Sequence, residues 1–250
     1  MPPEPVVVVH PSRQALADAS AARLVTAIVD AQAARGAAHV VLTGGSMGSA
    51  IVAGIAEVPG RLAIDPTRVH AWWGDERYLP AGDPDRNDVQ NDAAGLSAWG
   101  LDPAKVHRIA GPDRSQSAEA SARAYEQALC EHGPDAFDVV LLGVGPDGHV
   151  ASLFPHHPAQ RTTGADAVAV HDSPKPPPDR VSLTFERLAR TAEVWFLVSG
   201  ADKAEAVAAA LSPEADPWDV PASGPRGTVA TRWLLDTDAA GRLRPPHAAR

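Results

Sequence analysis

The sequence holds a single cysteine, Cys130, in 250 residues, so an internal disulfide and a cysteine-based zinc cluster are both out of reach. No apolar run approaches the roughly 18 residues that a membrane helix requires. Positive charge is short: 22 Lys and Arg stand against 31 Asp and Glu, a formal net charge of −9, and no basic cluster offsets it. That balance argues against binding nucleic acid or an anionic membrane through bulk charge, and an anionic ligand must be held by a few local cations. The opening Met-Pro-Pro-Glu-Pro has no basic residue and leads only into Val6 to Val9, so it is not expected to be a secretory signal. There is no internal repeat. These absences lead us to expect a soluble, cytoplasmic protein with no nucleic-acid or membrane partner; they leave the oligomeric state open, with a monomer favoured.

What is present is ordinary globular composition, 44% hydrophobic and 21% charged. The length suits one domain over 1–250, with a mobile tail from Arg242, and folding should bury about three-quarters of the extended surface. Short β-branched runs alternate with Ala-rich segments, the pattern of an α/β fold. Strands are expected at Val6–His10, His39–Thr43, Val69–Trp73, Lys105–Ile109, Phe137–Leu142, Val168–Val170, Arg180–Thr184, Glu193–Ser199 and Thr228–Leu235. Helices are expected from Pro11 to Arg35, with Gly36 as the stop, and over Ser49–Glu57, Ser117–Glu131 and Asp202–Leu211. Residues 75–87 read as a polar loop. The 24 prolines concentrate in connections, notably Lys175–Pro178 and residues 212–227.

Four polar clusters follow or border apolar strands, and in open parallel sheets ligands sit outside the carboxyl ends of strands. Thr43-Gly44-Gly45-Ser46 offers free N–H groups, a hydroxyl and a helix N-terminus to a phosphate, although a bare tight turn would read the same. Trp73-Gly74-Asp75-Glu76-Arg77 gathers two carboxylates and a guanidinium that could position a polar substrate; a solvated ion pair is the bland alternative. Trp72 and Trp73 read as core. The strand ending in Gly143-Val144-Gly145-Pro146-Asp147-Gly148-His149 puts an imidazole on a glycine turn, with Asp147 able to orient it, which makes His149 the candidate general base. Its glycine spacing fails the dinucleotide fingerprint, so no NAD site is expected. Arg180 and Lys203 supply cations near strand ends, and Lys203, near a helix start, opposes the helix dipole unless an anion lies between them.

The ordered segments Thr-Gly-Gly-Ser, Trp-Gly-Asp-Glu-Arg-Tyr-Leu-Pro, Gly-Pro-Asp-Gly-His-Val-Ala-Ser-Leu-Phe-Pro and Gly-Ala-Asp-Lys-Ala closely resemble the 6-phosphogluconolactonases, within the superfamily that includes glucosamine-6-phosphate isomerases. The resemblance runs from Val6 to Asp236. It implies a Rossmann-like open, mostly parallel sheet with helices on both faces, and hydrolysis of 6-phospho-D-glucono-1,5-lactone in the pentose phosphate pathway, without cofactor or catalytic metal. Position by position it implies His149, Asp147 and Arg77 as catalytic residues. Gly44, Gly45, Ser46, Arg180 and Lys203 would hold the substrate phosphate, with Asp75 and Glu76 at the substrate. Three positions depart from the pattern: Met47-Gly48 for Thr-Pro, Val150 for Thr, and Arg86 for Ser. An isomerase–deaminase is the nearest alternative, but Phe154 stands where that branch carries a Glu. A silent sugar-phosphate sensor is the other, and it would need no intact Asp147, His149 and Arg77.

Overall fold

Six short, largely apolar strands assemble as one parallel sheet. The computed structural model describes residues 3–243. Along the chain come β1 (Val6–His10), α1 (Arg13–Arg35), β2 (Ala38–Leu42), α2 (Gly45–Ile55), β3 (Val69–Trp73), β4 (Asp75–Arg77), α3 (Asn87–Ala93) and α4 (Ala118–His132). Then follow β5 (Phe137–Gly143), β6 (Ala167–Val170), β7 (Arg180–Leu183), α5 (Phe185–Ala189), β8 (Thr191–Val198), α6 (Ala204–Ala210) and β9 (Ala230–Asp236). The main sheet has the order β1-β9-β8-β5-β2-β3 with every pairing parallel. Strand β5 is buried at each position from Phe137 to Leu142, so both faces of the sheet centre are covered. The order in which strands are added reverses between β2 and β5, from β2 to β3 on one side and from β5 to β8 and β9 on the other, and a crevice opens there at the carboxyl ends.

Local sequence explains the long elements. Ser12 caps α1 by accepting the Ala15 N–H, and Gly36 ends it at φ +82°, a left-handed conformation suited to glycine. The α1 stripe Leu16, Ala17, Ala21, Leu24, Val25 and Ile28 is buried, spaced for one face of a 3.6-residue helix. Trp72 and Trp73 are core, as expected, and the Tyr125 hydroxyl ties α4 to β3 by accepting the Trp73 N–H at 2.9 Å.

Several expectations need correction. Residues 105–109 form no strand; Val106 makes one isolated bridge to Ala71. Helix α2 begins at Gly45, four residues before the expected Ser49, because Gly44 already serves as its N-cap. Residues 75–87 are not loop throughout: β4 opens them and Asn87 starts α3. β4 joins β7 and β6 in a separate antiparallel sheet. Arg242 and Leu243 lie in a turn in which the Leu243 N–H donates to the Ala240 carbonyl, and the rest of the expected mobile tail lies outside the described residues. No described helix is long and apolar enough to cross a membrane.

Candidate active site

The turn after β2 depends on its glycines. A Cβ on Gly44 would fall 1.9 Å from Asn87 Oδ1, and one on Gly48 would fall 2.1 Å from the Thr43 carbonyl oxygen. Gly48 is therefore what this turn needs where the family has proline, while Met47 beside it is buried. Gly44, Gly45 and Ser46 line a cavity of about 180 Å³ together with Gly143, Ser199 and Lys203, at the carboxyl ends of β2, β5 and β8. Lys203 stands at the N-cap of α6, its ammonium 3.4 Å from Asp202. Two further side chains reach this turn: Arg13 donates to the Ser46 carbonyl at 3.2 Å, and the Gly45 N–H donates to Gln90 Oε1 at 3.0 Å.

Strand β4 lies beside this turn, linked to it through Asn87 rather than lining the cavity. Arg77 Nη1 donates to Asn87 Oδ1 and to the Asp85 carbonyl, both at 2.6 Å, while its Nε is buried without a partner. Asp75 and Glu76 do not share that freedom. Asp75 accepts from Ser152 Oγ at 2.6 Å and from Asn87 Nδ2 at 3.2 Å. Glu76 accepts the backbone N–H groups of Arg77, Asn87 and Asp88 at 2.7–2.9 Å. Burial, with Asp88 second, pushes the Glu76 carboxyl up to about 8. Both residues hold this segment together. Arg86, a second of the three positions that depart from the resemblance, is 2% exposed; it pairs with Asp88 at 2.9 Å and donates to the Leu79 and Ile109 carbonyls.

The turn after β5 carries the imidazole, and neither His149 nor Asp147 lines the cavity around Ser46. Gly145 and Gly148 close a turn in which the Gly145 N–H donates to the His149 carbonyl and the Gly148 N–H to the Gly145 carbonyl. A Cβ on Gly145 would lie 2.0 Å from His149 Nδ1, so only glycine leaves the ring its place. His149 Nδ1 lies 2.6 Å from Asp147 Oδ1. An ionised carboxylate only accepts, so Nδ1 carries the proton and Nε2 keeps its lone pair. Burial opposes charge on Asp147, but hydrogen bonds from His149 and then Lys175 outweigh it and hold the carboxyl below the usual range. The ring rests on Phe154, centroids 4.6 Å apart. Val150 is fully buried, where threonine's hydroxyl would need a partner.

The structure thus brings Gly44, Gly45, Ser46 and Lys203 around one cavity. Asn87, which touches Gly44 and binds Arg77, joins that cavity to β4. Arg180 does not line the cavity. It is the register partner of Arg77 across β4–β7, lies over the Phe154 ring, and donates to the carbonyls of Lys175, Pro176 and Pro177. Sequence reasoning missed Asn87, Arg13 and Lys175. Only Asn87 left a signal, as the amide closing the polar run after Arg77. Among the described residues no three His, Cys, Asp or Glu side chains are grouped to hold a metal.

Comparison with known proteins adds three findings. The family described as glucosamine-6-phosphate isomerases/6-phosphogluconolactonase matches residues 11–233. A 6-phosphogluconolactonase of Streptomyces coelicolor is 51% identical over 248 residues, covering 96% of this chain and 95% of its own. The solved 6-phosphogluconolactonase of Thermotoga maritima superposes with a TM-score of 0.83 at 25% identity, over 94% of this chain and 100% of that one.

Proposed function

The chain belongs to the glucosamine-6-phosphate isomerase/6-phosphogluconolactonase family, and from that premise we propose that it hydrolyses 6-phospho-D-glucono-1,5-lactone to 6-phosphogluconate, a step of the pentose phosphate pathway, through a water activated by His149. The observation that carries this reading is the 2.6 Å contact of His149 with Asp147, which places the ring proton on Nδ1 and leaves Nε2 free to accept one. Nε2 takes a proton from water as the oxygen attacks C1. Negative charge then develops on the carbonyl oxygen, and the half-buried Arg77 guanidinium supplies the positive charge that stabilises it. Collapse breaks the bond from C1 to the ring oxygen. The departing oxygen recovers the proton from the imidazolium, leaving the open-chain acid. Asp147 keeps the ring oriented and offsets its transient charge.

Phosphate anchoring falls to Ser46, Lys203 and the free N–H groups at the start of α2, with a phosphate oxygen replacing Gln90 at Gly45. Anchoring far from C1 fixes orientation before chemistry. Asp75, Glu76 and Arg180 serve the reaction from behind, as supports of Arg77, Asn87 and the 175–177 segment. An isomerase would need a proton acceptor where Phe154 is fully buried. The test is a coupled assay in which freshly made phosphogluconolactone, the protein and 6-phosphogluconate dehydrogenase are combined. NADPH should form far faster than spontaneous hydrolysis allows; no excess over the uncatalysed rate would remove the proposal.

A further inference from the structure

Lys175 occupies a place that the reaction just described does not use. Its ammonium nitrogen lies 3.1 Å from Asp147 Oδ1 and 3.2 Å from His149 Nδ1, while that ring nitrogen lies 2.6 Å from the same carboxylate oxygen. One oxygen therefore receives two donors, and two cationic-capable groups stand side by side. The segment that carries Lys175 is fastened: Arg180, itself 5% exposed, donates to the three consecutive carbonyls of Lys175, Pro176 and Pro177 at 3.0–3.3 Å. The Ser173 hydroxyl also donates to the Lys175 carbonyl, at 2.9 Å.

A carboxylate alone beside an imidazole favours the protonated ring, which cannot accept a proton from water. A lysine on that carboxylate works the other way, because it neutralises part of the attraction and sets a like charge beside the ring. The other titratable and charged groups on the packed elements are Arg180 on β7 and, on β4, Arg77, Asp75 and Glu76. The Asp75 carboxylate is already bonded to Ser152 and Asn87, and the Glu76 oxygens accept the N–H groups of Arg77, Asn87 and Asp88. None of these touches Asp147. We propose that Lys175 is a positioning residue of this site: it shares Asp147 with His149, so that Asp147 orients the ring without holding it protonated. The inference rests on the reading of His149 as the base.

The experiment titrates the histidine resonances of the isotope-labelled full-length protein by NMR, with His149→Gln identifying the signal. The acid limb of kcat/KM for the phosphorylated lactone is measured on the same samples. In Lys175→Met both the His149 midpoint and the limb should move up by about one pH unit, the scale of a partly screened charge at this distance. Lys175→Arg, which restores the charge, should return both toward the wild-type position. A midpoint unmoved or lowered in Lys175→Met overturns the inference, and so does a Lys175→Arg protein shifted as far as Lys175→Met. If the wild-type chain does not turn over the lactone, the functional reading falls, and the imidazole titration still decides this one.

Discussion

At the residue scale the proposed chemistry divides between a base and an anchor, and the two make separable predictions. His149→Ala should lower kcat by about 10²–10⁴-fold, the usual worth of a positioned general base, and should abolish the acid limb of kcat/KM. Binding of 6-phosphogluconate, measured by calorimetry, should change little, because the cavity around Ser46 is built from other elements. Near-wild-type turnover in that variant would make the imidazole structural. Lys203→Ala should do the converse, raising KM for the phosphorylated lactone with a smaller effect on kcat, since it removes a charge-assisted contact remote from C1. Unphosphorylated gluconolactone should already be a poor substrate for the wild type. Equal kcat/KM for the two lactones would dismiss the anchor.

At the element scale the instructive unit is β4 with α3, two short pieces that hold Arg77. Arg86 is buried against Asp88, and it lies 3.8 Å from Glu76, whose oxygens fix the N–H groups of Asn87 and Asp88. Removing one member of a buried pair leaves the other uncompensated, so Arg86→Ala should cost about 3–5 kcal/mol in denaturant unfolding. It should also lower kcat by loosening Asn87 under Arg77. A stability within about 1 kcal/mol of wild type would show that the pair is not what holds the turn. This unit was also the least legible in the sequence. Strands such as β2 and β5 announce themselves as apolar runs, and α1 by its cap, stripe and terminal glycine. β4 is Asp-Glu-Arg, three charged residues buried or half-buried only because each finds a partner from a distant segment. Periodicity carries no trace of such pairing. For the same reason the glycine turns and the Asp147–His149 pair could be read from neighbours in sequence, whereas Lys175, 26 residues from His149, sat in what looked like a proline-rich connection.

On the scale of the whole molecule, acid should act at two places, and the strand direction keeps them apart. The site lies at the carboxyl ends of the strands. At the amino ends, His39 and His70 are register partners on β2 and β3, stacked 4.2 Å apart, and His107 bonds His70 at 3.0 Å and stacks on Trp72. Burial first, then neighbouring positive groups, lowers His39 from 6.5 to about 3 and His107 to about 4. The charged groups around them are Arg35, Arg187, Lys105, Asp102 and His132, four of the five positive or able to become so. Unfolded, these rings would titrate near the model-peptide value of about 6.5. Between that value and the folded ones the unfolded chain binds more protons, so stability is full above about pH 6.5 and is lost as pH falls toward 4. Carboxylates held low, such as Asp147 and Asp236, add their own loss only below about pH 4. A thermal-melting series from pH 8 to pH 4 should therefore show these imidazoles costing stability below about 6.5. That decline is superposed on the opposite trend from the buried Glu76 carboxyl, which at about 8 folded, against roughly 4.3 unfolded, favours the folded protein as pH falls from 8. The decline should flatten in a protein carrying His39→Gln and His107→Gln. His39 and the Gly44 turn are separated by roughly 15 Å along β2, far enough for independent effects. The double variant should therefore keep the acid limb of kcat/KM in place, while His149→Ala should erase that limb and leave the melting profile unchanged. If the double variant melts with the wild-type slope between pH 6.5 and 4, the buried imidazoles are not what acid attacks first.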